Sequence, residues 1–134
     1  MSSCVVCSIS SRKLDACIIF ENDNLICFLD HVPINEGHVL ICPKKHYPNI
    51  TDLPDNLLFE IFLMAKKVSF FLEERFGCDG VSLLQNNGHF NDLGHFHLHV
   101  FPRFINDGFS WNSLNNEVKN VTELFNSMNK FSDF

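Results

Sequence analysis

A chain of 134 residues with 46% hydrophobic and 19% charged side chains has the balance of a globular protein built on one core, which excludes disorder for the bulk of it. A net charge of −6 disfavours non-specific nucleic-acid binding, while a local field can still hold a small anionic substrate. No run reaches the roughly 18 apolar residues that cross a membrane, and Met1-Ser2-Ser3-Cys4 lacks the basic-then-apolar pattern of an export signal.

Three short apolar runs come first: Ala16–Phe20, Leu25–Leu29 and His38–Cys42. Each is bounded by turn formers such as Glu21-Asn22-Asp23-Asn24 and Asn35-Glu36-Gly37, and each reads as an antiparallel strand. A helix is expected from about Pro54 to Phe76, with Leu58, Ile61, Phe62, Ala65, Val68 and Leu72 at helical spacing and Gly77 as its C-cap. Gly80–Leu84 is another strand, Asn86–Gly94 a polar loop, and His95–Phe101 a strand ended by Pro102. Asn116–Phe131 has a weaker helical pattern. The expected fold class is α+β, a single domain of antiparallel sheet with one main helix packed on it and a C-terminal helix.

Two compositional features qualify this picture. Phe is abundant, at 15 residues against one Trp and one Tyr. That fits an aromatic core and equally a buried interface between two copies. Of the six cysteines, Cys17, Cys27 and Cys42 lie in apolar runs that look like buried strands, where Cys acts as a small hydrophobe. With no export signal, the six read as reduced thiols in the cytoplasm.

The densest chemistry lies in His95-Phe96-His97-Leu98-His99-Val100-Phe101. Side chains alternate along a strand, so Phe96, Leu98 and Val100 face a core. The three histidines face the other, solvated side, roughly 7 Å apart from one to the next. Such a row can be accidental, can bind metal, or can supply a nucleophile flanked by helpers.

This run resembles the histidine-triad (HIT) family, whose mark is His-x-His-x-His followed by two apolar residues. The resemblance extends to Asp30-His31-Val32-Pro33, to Gly37-His38-Val39-Leu40-Ile41-Cys42-Pro43-Lys44-Lys45-His46, and to Asn86-Asn87-Gly88. Together these cover about residues 4 to 104 in the family's order, leaving 105–134 as a C-terminal extension. The resemblance implies a HIT-like sheet and an enzyme that hydrolyses or transfers nucleotides at the α-phosphorus through a covalent nucleotidyl-histidine. It makes His97 the nucleophile, places His99 and His38 on the α-phosphate, gives Asp30 the ribose hydroxyls, and has Asn86 position substrate. Neutral imidazole needs no strong base for this attack. A nucleotide-binding module with little turnover and a catalytic-metal hydrolase are the alternative readings. A homodimer is plausible.

Cys4-Val5-Val6-Cys7 is by itself a weak signal: redox-active, structural or incidental. Many bacterial HIT proteins carry this pair and complete a zinc site with two histidines. The resemblance implies structural Zn²⁺ held by Cys4, Cys7, His46 and His95, beside the active site and outside its chemistry.

One segment departs from the family. Gly-Gln-Ser/Thr commonly precedes the triad, whereas this chain has Gly88-His89-Phe90-Asn91-Asp92-Leu93-Gly94 in a loop about two residues shorter. Asn91 stands near the Gln position and is the expected substitute contact for substrate. Asp92 stands near the hydroxyl position, where a carboxylate repels phosphate. Either Asp92 turns away to cap the loop, or the leaving group differs from the usual one.

Overall fold

A computed structural model describes residues 3–113, 117, 120–128, 131 and 133. Its elements are α1 (Val5–Ser10), β1 (Ile18–Glu21), β2 (Leu25–Leu29), β3 (Val39–Pro43), α2 (Asp55–Phe76), β4 (Gly80–Leu84), β5 (Leu98–Arg103) and α3 (Val121–Met128), with 3-10 turns at Ile50–Asp52 and Gly88–Phe90. The strands form one antiparallel sheet in the order β1-β2-β3-β5-β4. The α+β expectation therefore holds. The turn formers between β1 and β2 act as expected, with Asn22 Oδ1 accepting the backbone N–H groups of Asn24 and Leu25.

Helix α2 buries Ile61, Ala65, Val68 and Leu72, one stripe at spacings of four, three and four. Phe62, expected on that stripe, is exposed. Gly77 ends the helix in the left-handed conformation and donates its N–H to the Glu73 carbonyl. Against α2 lie Leu25, Cys27, Val39, Ile41, Phe96, Leu98 and Val100. The opposite face buries Ile26, Phe28, Leu40 and Cys42 under Val6 and Ile9 of α1. Strands β2 and β3 are thus covered on both sides, which explains why their sequences run apolar without alternation.

Three local expectations change. The last strand runs Leu98–Arg103, so Pro102 lies inside it, opposite Val81. Proline is tolerated there because the β3 ladder ends at Val100, and the Pro102 carbonyl is taken by the Asn35 side chain. Cys17 is exposed, just before β1, while Cys27 and Cys42 are buried as expected and all six cysteines are free. Burial pushes the Cys27 thiol up to about 12, which keeps it protonated and inert. Of the expected C-terminal helix, Val121–Met128 is helical, and several flanking positions lie outside the described residues.

The turn into β3 is sterically specified. Gly37 has φ +98°, and a Cβ there would stand 2.6 Å from the Phe76 ring. Gly37→Ala should cost about 1–3 kcal/mol from backbone strain and crowding, measurable by urea denaturation. Because the next residue is His38, the same change should also disturb the site described below.

Candidate active site and metal-ligand cluster

The sheet face that carries α1 also carries the histidines, and they are not on a solvated surface. His95, His97 and His38 are 0%, 1% and 2% exposed, and His99 is half-buried. Helix α1 and the loop ahead of β5 cover what the alternation in sequence presents as an open face. The loop is pinned from outside: Ile50 N–H donates to Asn87 Oδ1 at 2.8 Å, Gly88 N–H to Asn49 Oδ1 at 2.8 Å, and Asn91 Nδ2 to the Pro48 carbonyl at 2.7 Å. The strand itself starts late, since the Phe96 N–H goes to the Tyr47 carbonyl instead of a neighbouring strand.

Hydrogen bonds assign the tautomers. His97 Nδ1 lies 2.9 Å from the carbonyl oxygen of His95, so Nδ1 carries the proton and donates it. Nε2 of His97 is left with an in-plane lone pair able to attack an electrophile. The Ile34 N–H donates to His38 Nδ1 at 3.0 Å, which puts the His38 proton on Nε2. That Nε2–H donates to His99 Nδ1 at 2.8 Å, leaving the His99 proton on Nε2. A chain of donors therefore runs from backbone to His38 to His99, whose ring lies edge-on to His97 with centroids 4.8 Å apart.

Burial is the main cause that pushes His99 down to about 4, helped by His97 and His38 nearby. His95 is likewise pushed down to about 4, mainly by burial, with His46 and His97 adding to it. His38 is also lowered, first by burial and against the attraction of Asp30. An imidazole whose folded value lies below its unfolded value of about 6.5 binds more protons when unfolded. Stability should be complete above pH 6.5 and fall as pH drops from there toward 4. For metal-free protein the slope should be about 1.4 kcal/mol per pH unit for each such histidine. Denaturant midpoints at pH 7.5, 6 and 5 would measure it, and a flat profile would count against buried neutral rings.

The other expected residues are placed as follows. Asp30 caps its turn, accepting the Val32 N–H on Oδ1 at 3.0 Å, and turns Oδ2 toward His38 Nε2 at 3.7 Å. Asn86 lines a cavity of about 700 Å³ on the same sheet face, with Ser82, Leu84, Phe101, Arg103, Phe109 and Trp111 among its walls. Asn91 mainly holds its loop. One of its Nδ2 hydrogens goes to the Pro48 carbonyl and its Oδ1 accepts the N–H groups of Leu93 and Gly94, which leaves one amide N–H for the expected substrate contact. Asp92 Oδ1 stands 3.4 Å from His97 Nε2 with its side chain 82% exposed. Sequence reasoning missed the pins Asn49 and Asn87, which face 3-10 turns with no hydrophobic period to reveal them.

Cys4 and Cys7 flank the first turn of α1, a helix too short to announce itself by periodicity. The Cys4 Sγ accepts the Cys7 N–H, in the manner of an N-cap. This brings Cys4 Sγ within 3.4 Å of His95 Nδ1, across 91 residues of chain. Cys7 Sγ lies 3.5 Å from His46 Nδ1 and 3.7 Å from His95 Nδ1, and the two histidine nitrogens are 3.1 Å apart. Zinc–sulfur bonds near 2.3 Å and zinc–nitrogen bonds near 2.0–2.1 Å make tetrahedral edges of about 3.3–3.8 Å. The three sulfur–nitrogen edges fall in that range, the nitrogen–nitrogen edge is slightly shorter, and all four atoms lie within 4.8 Å of one another. The Nε2–H of His95 donates to the Pro43 carbonyl at 2.7 Å, which aims its Nδ1 lone pair at the thiols, as metal-binding histidines are commonly held. Burial and the neighbouring Cys4 push the Cys7 thiol up to about 11; a bound cation reverses that preference.

A second trio, Asp30, His38 and His99, also lies within metal-binding range. It does not suit a cation, because the His38 Nδ1 lone pair is used by Ile34 and its Nε2 carries the donated proton.

The family profile described as HIT domain matches residues 11–106. The chain belongs to the HIT family. A HIT family protein from Bacillus anthracis has the same fold with a TM-score of 0.85 and 31% identity, over 98% of this chain and 96% of that one. A zinc-bound histidine triad family protein from Mycobacterium smegmatis matches with a TM-score of 0.76 and 32% identity, over 85% of this chain and 84% of that one. An adenosine 5′-monophosphoramidase of Saccharomyces cerevisiae is 32% identical over 104 residues, which are 76% of this HIT chain and 63% of the yeast protein. No helix among the described residues is long and apolar enough to cross a membrane.

Proposed function

We propose that this HIT protein is a nucleotide hydrolase or transferase that attacks the α-phosphorus of a nucleoside phosphoramidate or dinucleoside polyphosphate with His97. The observation that carries this reading is the tautomer of His97. Its Nδ1–H is spent on the His95 carbonyl, so the nucleophilic lone pair is on Nε2 before substrate arrives. His99 offers an Nε2–H to a phosphoryl oxygen, backed by His38, and the pair stabilises the charge that develops there. Asp30 Oδ2 is left to accept from ribose hydroxyls, and Asn86 borders a cavity with room for further substrate. The yeast relative's activity supports the same class of reaction. The alternative of a nucleotide-binding module with little turnover would leave the free Nε2 of His97 without a purpose.

Zinc is the metal whose geometry the Cys4, Cys7, His46 and His95 cluster suits, in a closed structural role that supplies a rigid anchor for the strand carrying His97. The reading includes a cytoplasmic homodimer. The free edge of β4 and the exposed Phe59, Phe62, Phe70 and Phe71 of α2 support a second copy as partner.

The test is chemical trapping. Protein mixed with labelled nucleotide substrate and quenched early should carry label on His97 that is lost in acid and kept in base. Turnover of an adenosine phosphoramidate and of a dinucleoside polyphosphate should survive brief chelation, since no metal takes part in the step. No adduct and no turnover of either substrate would favour the binding module.

A further inference from the structure

Asp92 sets a carboxylate beside the reacting atom of His97, and the roles assigned so far make no use of it. Its Oδ1 is 3.4 Å from His97 Nε2. With the His97 proton on Nδ1, both facing atoms are acceptors, so nothing in the free site joins them. Loop capping falls to Asn91, whose Oδ1 accepts from Leu93 and Gly94. Among the described residues, no Lys or Arg forms an ion pair with Asp92. An exposed carboxylate therefore stands beside the atom that attacks, on the solvent side, with its acceptor capacity unspent.

A group approaching His97 with a negative leaving phosphate meets this carboxylate and is repelled. A group that becomes a cation, or carries N–H donors, is attracted. We propose that Asp92 sets leaving-group specificity, favouring an amine and therefore phosphoramidate substrates over a phosphate leaving group. This rests on the nucleotidyl-transfer reading above.

The reaction balances without another reactant. The substrate nitrogen takes one proton from solvent, and Asp92 accepts its N–H bonds. The His97 lone pair forms the new N–P bond as the old P–N bond breaks, and its electron pair leaves on a neutral amine. The amine takes a second solvent proton and departs as ammonium. Water then attacks phosphorus, the bond to His97 breaks with its pair returning to Nε2, and the two water protons go to solvent. The sum is phosphoramidate monoanion plus water giving nucleoside monophosphate dianion plus ammonium.

The experiment compares wild type, Asp92→Asn and Asp92→Glu on two substrates at pH 7: an adenosine phosphoramidate of a primary alkylamine, and diadenosine tetraphosphate. Asp92→Asn keeps shape and removes charge. It should lower kcat/KM for the phosphoramidate by about tenfold or more, and leave unchanged or raise that for the polyphosphate. Asp92→Glu should restore part of the preference. In wild type the preference should shrink as salt rises, because an exposed charge is screened. A loop-stabilising or ring-orienting role would lower both substrates equally, and that result overturns the proposal. So does an Asp92→Asn protein that keeps the wild-type preference. Wild type that turns over both substrates while Asp92→Asn leaves both values of kcat/KM unchanged sinks only this inference. Wild type that turns over neither sinks the functional reading as well.

Discussion

His97→Asn should reduce turnover by at least about a thousandfold while nucleotide binding and thermal stability stay near wild type. The asparagine amide can still donate to the His95 carbonyl, replacing the Nδ1–H bond of 2.9 Å, but has no lone pair with which to form an N–P bond. His97→Ala should be equally inactive and, in addition, less stable by about 1–3 kcal/mol. A ring only 1% exposed leaves a hole, and the His95 carbonyl loses its donor. A surface-facing His97, as alternation in the sequence presents it, would carry no such cost, so the two variants test the burial as well as the chemistry. The outer histidines cannot take over. The His99 ring centroid lies 4.8 Å from that of His97, beyond a near-attack distance of about 3–3.5 Å, and its Nδ1 lone pair is taken by His38, while His95 spends its Nε2–H on the Pro43 carbonyl. Steady-state kinetics, equilibrium binding of a nucleoside monophosphate and a melting curve for each variant suffice. Turnover in His97→Asn within tenfold of wild type would remove the covalent mechanism.

Loss of metal should produce the second large effect, on stability. Protein purified without chelator should carry about one zinc per chain. Stripping it, or making Cys7→Ser, should lower Tm by about 10 °C or more, equivalent to a few kcal/mol for a domain of this size. The cluster joins the start of α1, the segment after β3 and the residue ahead of β5, so releasing it frees both α1 and the start of the catalytic strand. Without the cation, two histidine nitrogens 3.1 Å apart and two thiols are left facing one another. His46→Ala should give a similar loss with little further effect of chelator. Absence of zinc by elemental analysis, together with a Tm unmoved by chelator, would reject the site.

Much of this protein was legible as a string. The 3.6-residue period of Ile61, Ala65, Val68 and Leu72, closed by Gly77, specifies α2. The unbroken apolar runs of β2 and β3 mark strands covered on both faces. The spacing of His95, His97 and His99 puts three imidazoles on one side of a strand. Local geometry is enough for all of these, because backbone period alone decides which side chains share a face.

Tertiary structure decided what covers that face. Period says nothing of the burial of the histidines: His95 meets the cysteines of a six-residue helix, and His97 faces Asp92 of a loop pinned by Asn49 and Asn87. The tautomer of His97 depends on a carbonyl whose orientation follows from the late start of β5. The metal-ligand cluster needs contacts spanning 91 residues, and the spacing of Cys4 and Cys7 is silent about their partners. Asn91 and Asp92 are adjacent and similar in size, yet one mainly holds its own loop and the other faces the nucleophile. Which of two neighbouring polar side chains turns inward is set by the hydrogen bonds that the surrounding backbone leaves open, and only the folded chain determines those.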